Sequence, residues 1–204
     1  MSGMRILVTG SAGALGSHMA ERLKREGHSV VGIDAFTDYY NPEEKRATAA
    51  ELSAEDIETR EADLSSADLS SCVPNDTEFI LHFAAQPGIS STVSFETYER
   101  NNVIATARLL EHASTLPNLL GFIFISTSSV YGVQAVGNEE SEPRPTSFYG
   151  VTKLCAEQLV LSYARRGILP AASARLFSVY GERERPDKLF RKLIAAIDSG
   201  TPVP

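Results

Sequence analysis

Residues 5–16 read RILVTGSAGALG, in which a short apolar run is followed directly by three glycines at intervals of three residues, Gly10, Gly13 and Gly16. This pattern predicts a strand that turns into a helix at the glycines. Because glycine has no side chain, peptide N–H groups and the helix N-terminus at such a turn can face a pyrophosphate. A tight turn without any ligand also favours glycine, so the three glycines alone leave both interpretations open.

The rest of the chain alternates short apolar runs with longer amphipathic segments. Strands are predicted at 5–9, 29–34, 57–62, 79–83, 121–126 and 171–177. Helices are predicted at 14–26, 42–52, 95–115, 149–165 and 188–199. We expect the strands to be continuous apolar runs, which is typical of a parallel sheet covered by helices on both faces. The sequence therefore predicts an α/β fold with a doubly wound parallel sheet, the Rossmann fold.

Length and composition restrict the class of protein further. The 204 residues are 43% apolar, which suits one globular domain with a sizeable core or one domain plus part of another. A net charge of −7 and the lack of a basic run argue against nucleic acid as a partner. No apolar stretch is long enough to span a membrane, and the N-terminus lacks the pattern of a signal peptide, so a cytoplasmic location is expected. Cys72 and Cys155 are far apart, which predicts neither a disulfide nor a metal site.

An acidic residue ends the second predicted strand. Asp34 lies at about the offset from the glycines at which a carboxylate binds the adenosine ribose hydroxyls of a dinucleotide. Its charge would repel a 2′-phosphate, so the pattern favours NAD over NADP as the cofactor. A turn carboxylate without a ligand is the alternative.

Two residues four positions apart suggest a catalytic base. Tyr149 and Lys153 share one face if their segment is helical, so the ammonium could lower the pKa of the phenol from its ordinary value of about 10. A run of hydroxyls, residues 126–129, closes an apolar strand about twenty residues earlier. A phenolate beside such hydroxyls could remove the proton of a substrate hydroxyl while the carbon loses hydride. A solvated Tyr–Lys pair on a helix surface is the alternative.

Together these residues resemble a known family, the extended short-chain dehydrogenase/reductases that act on nucleotide sugars (the NAD-dependent epimerase/dehydratase family). The motifs that carry the resemblance are Gly10-x-x-Gly13-x-x-Gly16, Asp34, Asp63-Leu64, His82-Phe83-Ala84-Ala85, Asn102-Val103, Val130-Tyr131-Gly132 and Tyr149-x-x-x-Lys153. They span essentially the whole chain in the order of the family. Within it, the stretches 38–42, 84–88, 126–132 and 179–187 are similar to those of UDP-glucuronate 4-epimerases.

The resemblance implies roles for individual residues toward NAD. The implied cofactor contacts are Gly10, Gly13, Ala14, Leu15 and Gly16 at the pyrophosphate, Asp34 at the ribose, Asp63 and Leu64 at the adenine, and Phe83, Ala84, Ala85, Asn102, Tyr149 and Lys153 toward the nicotinamide. For Asp63, capping a helix before Ser65 is an alternative that can coexist with an adenine contact.

The resemblance also implies the reaction. Thr127, Tyr149 and Lys153 would be the catalytic residues, with Tyr149 taking the proton of the sugar O4 while C4 loses hydride. Rotation of the 4-keto sugar and return of hydride would invert C4. Contacts with the UDP-sugar are implied for Gln86, Ser128, Ser129, Ser178 and Arg185. For the basic residues near Arg185, a solvated patch is the alternative.

Details of these motifs separate related reactions. Related dehydratases and decarboxylases usually carry an acid where this chain has Ser128 or Ser129, which favours epimerisation. Glu182 stands where proline commonly follows Tyr-Gly, and its charge would repel an anionic substrate unless it points away. UDP-glucose 4-epimerase, UDP-glucuronate decarboxylase, sugar-nucleotide dehydratase and a silent NAD-binding protein therefore stay open as alternatives.

The family pattern also implies a division of the chain. Residues 1–177 would form the NAD-binding domain with the catalytic residues, and residues 178–204 would begin a substrate-binding region that is largely missing. A shortened form, completion by a partner subunit, or a cofactor-binding remnant would each account for this. The family dimerises through helices that correspond to residues 95–115 and 149–165, so a homodimer is expected, with core packing as the alternative for the leucines of the second helix.

Overall fold

The computed structural model describes residues 3–88 and 92–202. Its strands are β1 (Arg5–Thr9), β2 (Ser29–Asp34), β3 (Glu58–Glu61), β4 (Phe79–His82), β5 (Gly121–Thr127) and β6 (Ala171–Leu176). Its helices are α1 (Ala14–Arg25), α2 (Pro42–Ala54), α3 (Leu69–Cys72), α4 (Phe95–Tyr98), α5 (Ala105–Ala113), α6 (Phe148–Arg165) and α7 (Leu189–Ser199). A π-helix, Glu99–Ile104, joins α4 to α5, and a 3₁₀ turn, Ser128–Tyr131, follows β5. The outer limits of the predicted domains, residues 1 and 204, lie outside the described residues.

The six strands form one sheet in the order β3-β2-β1-β4-β5-β6. Every neighbouring pair is parallel, with β1 between β2 and β4 at the centre. The chain therefore reverses its direction of winding beside β1, and a crevice at the carboxyl ends of the strands is where ligands bind in such sheets. The predicted doubly wound parallel sheet is confirmed.

Alternate residues of the central strands pack into two separate cores. Leu7 of β1 packs on one face with residues of α5 and α6, such as Leu109 and Val160. Ile6 and Val8 pack on the other face, with residues that include Ala20 of α1 and Leu52 of α2. Both faces of the sheet are thus buried, which explains the continuous apolar character of β1, β2 and β4.

The edge strand β3 differs from the prediction. Its sequence is Glu-Thr-Arg-Glu, and the two glutamates at its ends are exposed. The expectation that all strands are continuous apolar runs is therefore wrong for β3. An edge strand has one neighbour only, and charged side chains there discourage pairing with another chain.

The helix predicted at 95–115 is also more complex than expected. It consists of α4, six residues of π-helix and α5, and the chain leaves the helix after Ala113. The four-residue helix α3 and the 3₁₀ turn had no counterpart in the prediction. In the part of the chain that the structure describes, no helix combines the length and apolarity needed to cross a membrane.

Candidate functional site

A cavity of about 860 Å³ lies at the carboxyl ends of the strands. Its wall includes the turn after β1, the end of β2, the loops after β3 and β4, the end of β5, the start of α6 and the segment after β6. The residues among them that the sequence had singled out are Gly10, Gly13, Ala14, Leu15, Gly16, Asp34, Asp63, Leu64, Phe83, Ala84, Ala85, Gln86, Thr127, Ser128, Ser129, Tyr149, Lys153, Ser178 and Arg185. Of the predicted site residues, Asn102 alone is not part of this wall.

The glycine turn requires glycine for steric reasons. Gly10 has φ +69°, and a Cβ there would lie 2.8 Å from the peptide nitrogen of Ala84. A Cβ on Gly16 would collide with the carbonyl oxygen of Gly10. Gly13 is the N-cap of α1, and no side chain of the described residues caps that end. The turn therefore leaves the first peptide N–H groups of α1 beside the cavity, where an anionic group of a ligand can accept from them.

Asp34 is buried at the end of β2 and is held by several groups. Its carboxylate accepts from the peptide N–H groups of Ala12 (3.1 Å) and Phe36 (2.9 Å). The ammonium of Lys45 lies 3.8 Å from Asp34 Oδ1 and donates to Thr37 Oγ1 at 3.1 Å. Burial lowers the pKa of Lys45, whereas the Asp34 charge raises it.

Sequence reasoning missed Lys45. It also lines the cavity, but in the sequence it is one charge among several on α2, and no motif marked it. Its contact with Asp34 crosses eleven positions of the chain, so only the folded backbone of the loop before α2 brings the two together.

Asp63 follows β3 and is fixed by a local turn. Its carboxylate accepts from the backbone N–H of Ser65 at 2.9 Å and pairs with the guanidinium of Arg100. Burial raises the pKa of Asp63, but the hydrogen bonds from Ser65 and the Arg100 charge outweigh it and lower the pKa overall. Asp63 caps a turn rather than a helix, since the next helix, α3, has Asp68 as its N-cap.

The loop after β4 is braced from behind by Asn102 of the π-helix. The Asn102 amide accepts from the backbone N–H of Gln86 at 2.7 Å and donates to Thr152 Oγ1 at 3.0 Å. Asn102 is 1% exposed, and its side chain is fully engaged by these partners. Instead of lying along the cavity as predicted, Asn102 positions Gln86, which lines it.

A second buried network orders the same region. Thr9 Oγ1 accepts from the backbone N–H of Ala84 at 3.2 Å and contacts His82 Nδ1 at 2.6 Å. On the other side of the ring, His82 Nε2 contacts Thr106 Oγ1 at 2.9 Å, and Thr106 donates to the carbonyl of Asn102 at 2.6 Å. This pattern assigns the proton of a neutral imidazole to Nε2. The ring thereby joins β1, β4 and α5 behind the cavity.

Lys153 is buried on α6 and points to the sheet. Its ammonium donates to the carbonyl of Ile125 at 2.6 Å and lies 4.0 Å from the ring centre of Phe124. Burial lowers the pKa of Lys153 to about 7, and the charge of Glu157 opposes this shift. The ammonium is therefore desolvated at the base of the cavity.

The phenol of Tyr149 lies in the same wall, near Thr127. Burial raises the pKa of Tyr149, whereas a hydrogen bond with Thr127 and the charge of Arg185 act in the opposite direction. The expectation that Lys153 lowers this pKa is wrong for the protein groups alone, because the pKa of Lys153 is about 7 and its amine is neutral at the pH at which the phenol ionises. The protein groups leave the phenol protonated at neutral pH.

Hydroxyls surround this end of the cavity. Thr127 is the N-cap of the 3₁₀ turn and accepts from the backbone N–H of Ser129 at 3.1 Å. Ser128 and Ser129 line the wall beside it, and exposed Ser178 lines the wall after β6.

The basic residues after β6 separate into two groups. Arg185 lines the cavity, with its guanidinium 5.1 Å from the ring centre of Tyr39 and 3.1 Å from Asp187 Oδ2. Arg183 turns away and pairs with Glu21 of α1 at 2.6 Å and Glu51 of α2 at 2.7 Å. The Arg185 side chain is 13% exposed, so most of it is shielded from solvent.

Glu182 also lines the cavity wall. Its carbonyl oxygen lies 3.2 Å from His18 Nε2. The repulsion of an anionic substrate by its charge stays a prediction.

The residues present fit a dinucleotide. The turn at Gly10 has no room for a side chain, the N-terminus of α1 is uncapped beside the cavity, and a carboxylate ends β2. This strand order with these features defines a Rossmann-type α/β protein of the kind that binds dinucleotides. The sequence matches the NAD-dependent epimerase/dehydratase family over residues 6–204, and the chain belongs to that family.

Individual relatives agree with this assignment. The chain is 41% identical over 196 residues to an uncharacterised UDP-glucose epimerase of Bacillus subtilis (strain 168), covering 94% of this chain and 61% of the relative. It is 33% identical over 207 residues to UDP-glucuronate 4-epimerase 1 of Arabidopsis thaliana, covering 98% of this chain and 48% of the relative. A crystal structure of UDP-glucuronic acid 4-epimerase from Bacillus cereus, in complex with UDP-glucuronic acid and NAD, is similar with a TM-score of 0.89 and 37% identity. That comparison covers 98% of this chain and 65% of the solved one. The chain thus spans between about half and two thirds of these relatives.

Proposed function

We propose that this chain carries the NAD site and catalytic residues of an epimerase that inverts C4 of a UDP-sugar, with UDP-glucuronate and UDP-galacturonate as its substrate pair. One observation carries the proposal: the glycine turn and the Thr127, Tyr149 and Lys153 side chains line a single cavity. Residues 1–177 would be the cofactor and catalytic domain, and residues 178–204 the start of the substrate region.

Each catalytic side chain has a distinct task in this proposal. When bound, NAD supplies the acceptor and donor of hydride. Tyr149 takes the proton of the sugar O4 and later returns it, and Thr127 hydrogen-bonds both the phenol and that oxygen. The Lys153 ammonium supplies positive charge beneath the reacting groups. Because the protein groups leave Tyr149 protonated, a positively charged cofactor ring nearby is needed to lower its pKa.

Positive charge in the cavity wall supports a sugar with a carboxylate as the substrate. Arg185 is partly buried at the cavity, and a guanidinium suits a carboxylate or phosphate better than a neutral sugar. Ser128 and Ser129 offer hydroxyls where an acid would be needed for elimination of water or for steering loss of CO2. The site therefore supports epimerisation over dehydration and decarboxylation.

UDP-glucose is the second candidate substrate. The name of the relative from Bacillus subtilis and the anionic Glu182 at the wall both favour a neutral sugar. A catalytically silent NAD-binding protein is less consistent with the site, since a pure binder has no use for Thr127, Tyr149 and Lys153 together.

Cofactor reduction and product analysis separate these candidates. The chain with NAD is mixed in turn with UDP-glucuronate, UDP-galacturonate, UDP-glucose and UDP-galactose, while absorbance of NADH and C4-inverted product are followed. Inversion of the uronates alone supports the proposal, and inversion of the neutral pair alone supports the second candidate. Release of CO2 would identify a decarboxylase. NAD binding with neither NADH nor C4-inverted product from any sugar would refute an active epimerase.

The proposal includes a cytoplasmic homodimer, whose contact would use the helices at 95–113 and 148–165. Exposed apolar side chains on these helices include Phe95, Ile104, Phe148 and Val151, and the rings of Phe95 and Phe148 are 5.4 Å apart. Apolar groups concentrated on adjacent helices suit a symmetric interface. The cytoplasmic location rests on the sequence expectation alone.

A further inference from the structure

Lys153 is a cation in an environment that opposes its charge. The residue is 2% exposed, and its ammonium donates to the carbonyl of Ile125 and lies over the face of the Phe124 ring. Removal from water favours the neutral amine, so a nearby anion is needed if the side chain is to stay charged at neutral pH.

Such an anion lies one helical turn further along α6. Glu157 is 1% exposed and shares the buried face of the helix with Lys153. Its carboxylate accepts from Arg175 of β6 in two bonds to Oε1, from Nη2 at 2.6 Å and from Nε at 3.0 Å. Burial raises the pKa of Glu157, but the hydrogen bonds and charge of Arg175, together with hydrogen bonds from Ser126 and Ser173, outweigh it and lower the pKa overall. The carboxylate is therefore ionised, and four positions along α6 it lies on the same buried face as the amine.

Arg175 is in turn held in place by groups outside α6. Its Nη1 donates to the hydroxyl of Tyr131 at 2.9 Å and to the carbonyl of Glu139 at 3.0 Å. Because these partners fix the guanidinium, Arg175 can orient the Glu157 carboxylate. Neither Arg175 nor Glu157 is part of the cavity wall.

Other charged or titratable groups come from the elements packed around Lys153. They are His82 of β4, Tyr98 of α4, Tyr131 of the 3₁₀ turn, Arg175 of β6, and Tyr149 and Glu157 of α6 itself. Arg100 of the π-helix pairs with Asp63, and Arg108 of α5 donates to the carbonyls of Leu64 and Ala67, so both are directed away. Within this set, Glu157 supplies the anion.

We propose that Glu157, oriented by Arg175, is a positioning residue that favours the protonated form of the buried Lys153. A catalytic role for Glu157 rests on the proposed function, but its effect on the protonation of Lys153 can be measured without cofactor or substrate. Glu157 is not part of the cavity wall, and it acts through Lys153, which is.

The test is a direct titration of Lys153 in the whole chain without cofactor. The chain is labelled with ¹³C-lysine, its ¹³Cε shifts are followed against pH by NMR, and the Lys153 signal is assigned from its loss in Lys153→Met. Glu157→Gln, which keeps shape and removes charge, should lower the measured pKa of Lys153 by about one unit or more. Glu157→Asp should restore part of that shift. Glu142→Gln, which removes a carboxylate that pairs with Arg144 on the surface, should leave Lys153 unchanged.

An unchanged Lys153 titration in folded Glu157→Gln would overturn the proposal, and so would an equal shift in Glu142→Gln. If Glu157→Gln fails to fold, the double variant Glu157→Gln/Arg175→Met is compared with Arg175→Met. The measured pKa of Lys153 should be lower in the double variant, because the two proteins differ only in the charge at position 157. In turnover assays, the loss of activity at high pH should begin at a lower pH in Glu157→Gln, because the Lys153 amine loses its proton at a lower pH. A wild-type chain that binds no NAD would refute the proposed function, while the NMR titration would still decide the role of Glu157.

Discussion

The phenol of Tyr149 is the group on which the proposed chemistry depends. Its surroundings raise its pKa, and the Thr127 hydroxyl gives it a partner for a hydrogen bond. A buried neutral phenol is protonated and cannot act as a general base. It becomes a base only when positive charge is brought into the cavity, so its activity is tied to occupancy of the cofactor site.

Tyr149→Phe removes the hydroxyl and keeps the ring. We expect turnover of the UDP-sugar to fall by about 10²-fold to 10⁴-fold, because the general base is lost. The dissociation constant for NAD, measured by calorimetry, should change by less than about threefold, which corresponds to well under 1 kcal/mol. Tyr163→Phe, the same change near the other end of α6 where Tyr163 packs on the core, should leave turnover unaffected. A Tyr149→Phe variant with normal turnover would refute the assigned base.

The buried His82 makes the unfolding free energy depend on pH. Burial lowers the pKa of His82 to about 3, whereas the unfolded chain has a value near 6.5. Between these values the unfolded chain binds one proton more than the folded chain, so stability falls as the pH is lowered from 6.5 toward 3. The loss from this residue should be about 3 kcal/mol between pH 7 and pH 4.

Urea unfolding at several pH values measures this effect. His82→Gln should be less stable than the wild type at pH 7, since the bonds with Thr9 and Thr106 are altered. The difference in unfolding free energy between the two proteins should shrink as the pH falls to 4, because glutamine does not titrate. A constant difference across this range would contradict the assignment of a neutral buried imidazole.

Residues of the site differed in how well the sequence revealed them. Gly10 and Asp34 were predicted because they stand at fixed offsets from an apolar run, and the fold brings both to the cavity. Lys45 and Glu157 were not predicted, because their partners lie elsewhere in the chain. Charged residues on amphipathic helices appear solvated in a sequence, and only the packing of the helix shows which of them are buried.

At the scale of elements, the π-helix Glu99–Ile104 gives the clearest link between local structure and the site. It places Asn102 against Gln86 on one side and Thr152 on the other, so a single amide connects the cavity loop to α6. Short π-helical segments inside α-helices are frequent at functional sites. Apolar periodicity does not predict them, because six residues are too few to distinguish a π-helical pattern from an α-helical one.

Asn102→Ala tests this connection. Truncation leaves the backbone N–H of Gln86 and the Thr152 hydroxyl without this partner in a buried place, so we expect a loss of about 2–4 kcal/mol in unfolding free energy. Asn101→Ala, at the neighbouring position, loses one partly buried bond to Gln86 Oε1 and should cost about 1 kcal/mol or less. Chemical denaturation of both variants supplies the comparison. Equal losses would show that Asn102 does not brace the loop.

The remaining differences between predicted and observed elements have similar causes. β3 is polar because it lies at the sheet edge, and the edge position follows from the strand order rather than from its sequence. α3 has four residues, which is too few for helical periodicity to show. The boundaries of β1 and β2 were predicted to the residue, since turn residues flank apolar runs that are buried on both faces.

At the scale of the whole molecule, sequence pattern was sufficient for the parallel sheet because each strand alternates with a helix. The faces that the sheet and its helices leave exposed were not predictable in the same way. In the described part of the chain, exposed apolar side chains form one surface on the helices at 95–113 and 148–165 and another on α7. They lead to opposite predictions about assembly.

The first surface should support a homodimer. Ile104 is 44% exposed and Val151 is 43% exposed, on neighbouring helices. The double variant Ile104→Glu/Val151→Glu places like charges on both sides of a symmetric contact, so it should convert dimer to monomer. Light scattering coupled to size-exclusion chromatography reports the mass. A dimer that survives this change would show that the helices do not form the interface.

The second surface should cause non-specific association instead. Phe190, Ile194 and Ile197 are exposed at helical spacing on α7, and Tyr180 stacks on Phe190 with ring centres 4.6 Å apart. A continuous apolar stripe of this kind promotes aggregation when nothing covers it. Ile194→Lys/Ile197→Lys should therefore reduce the concentration-dependent rise in light scattering, while the mass of the dimer stays the same.

A matched change elsewhere separates the effect of the stripe from that of added charge. Val133 and Val136 are even more exposed, at 86% and 76%, but they lie in a loop outside α7. Val133→Lys/Val136→Lys adds the same charge and removes isolated apolar groups, so it should leave aggregation nearly unchanged. Both double variants should alter the unfolding free energy by about 0.5 kcal/mol at most per substitution. If the loop variant suppresses scattering as strongly as the α7 variant, net charge and not the apolar stripe controls the solubility of the chain.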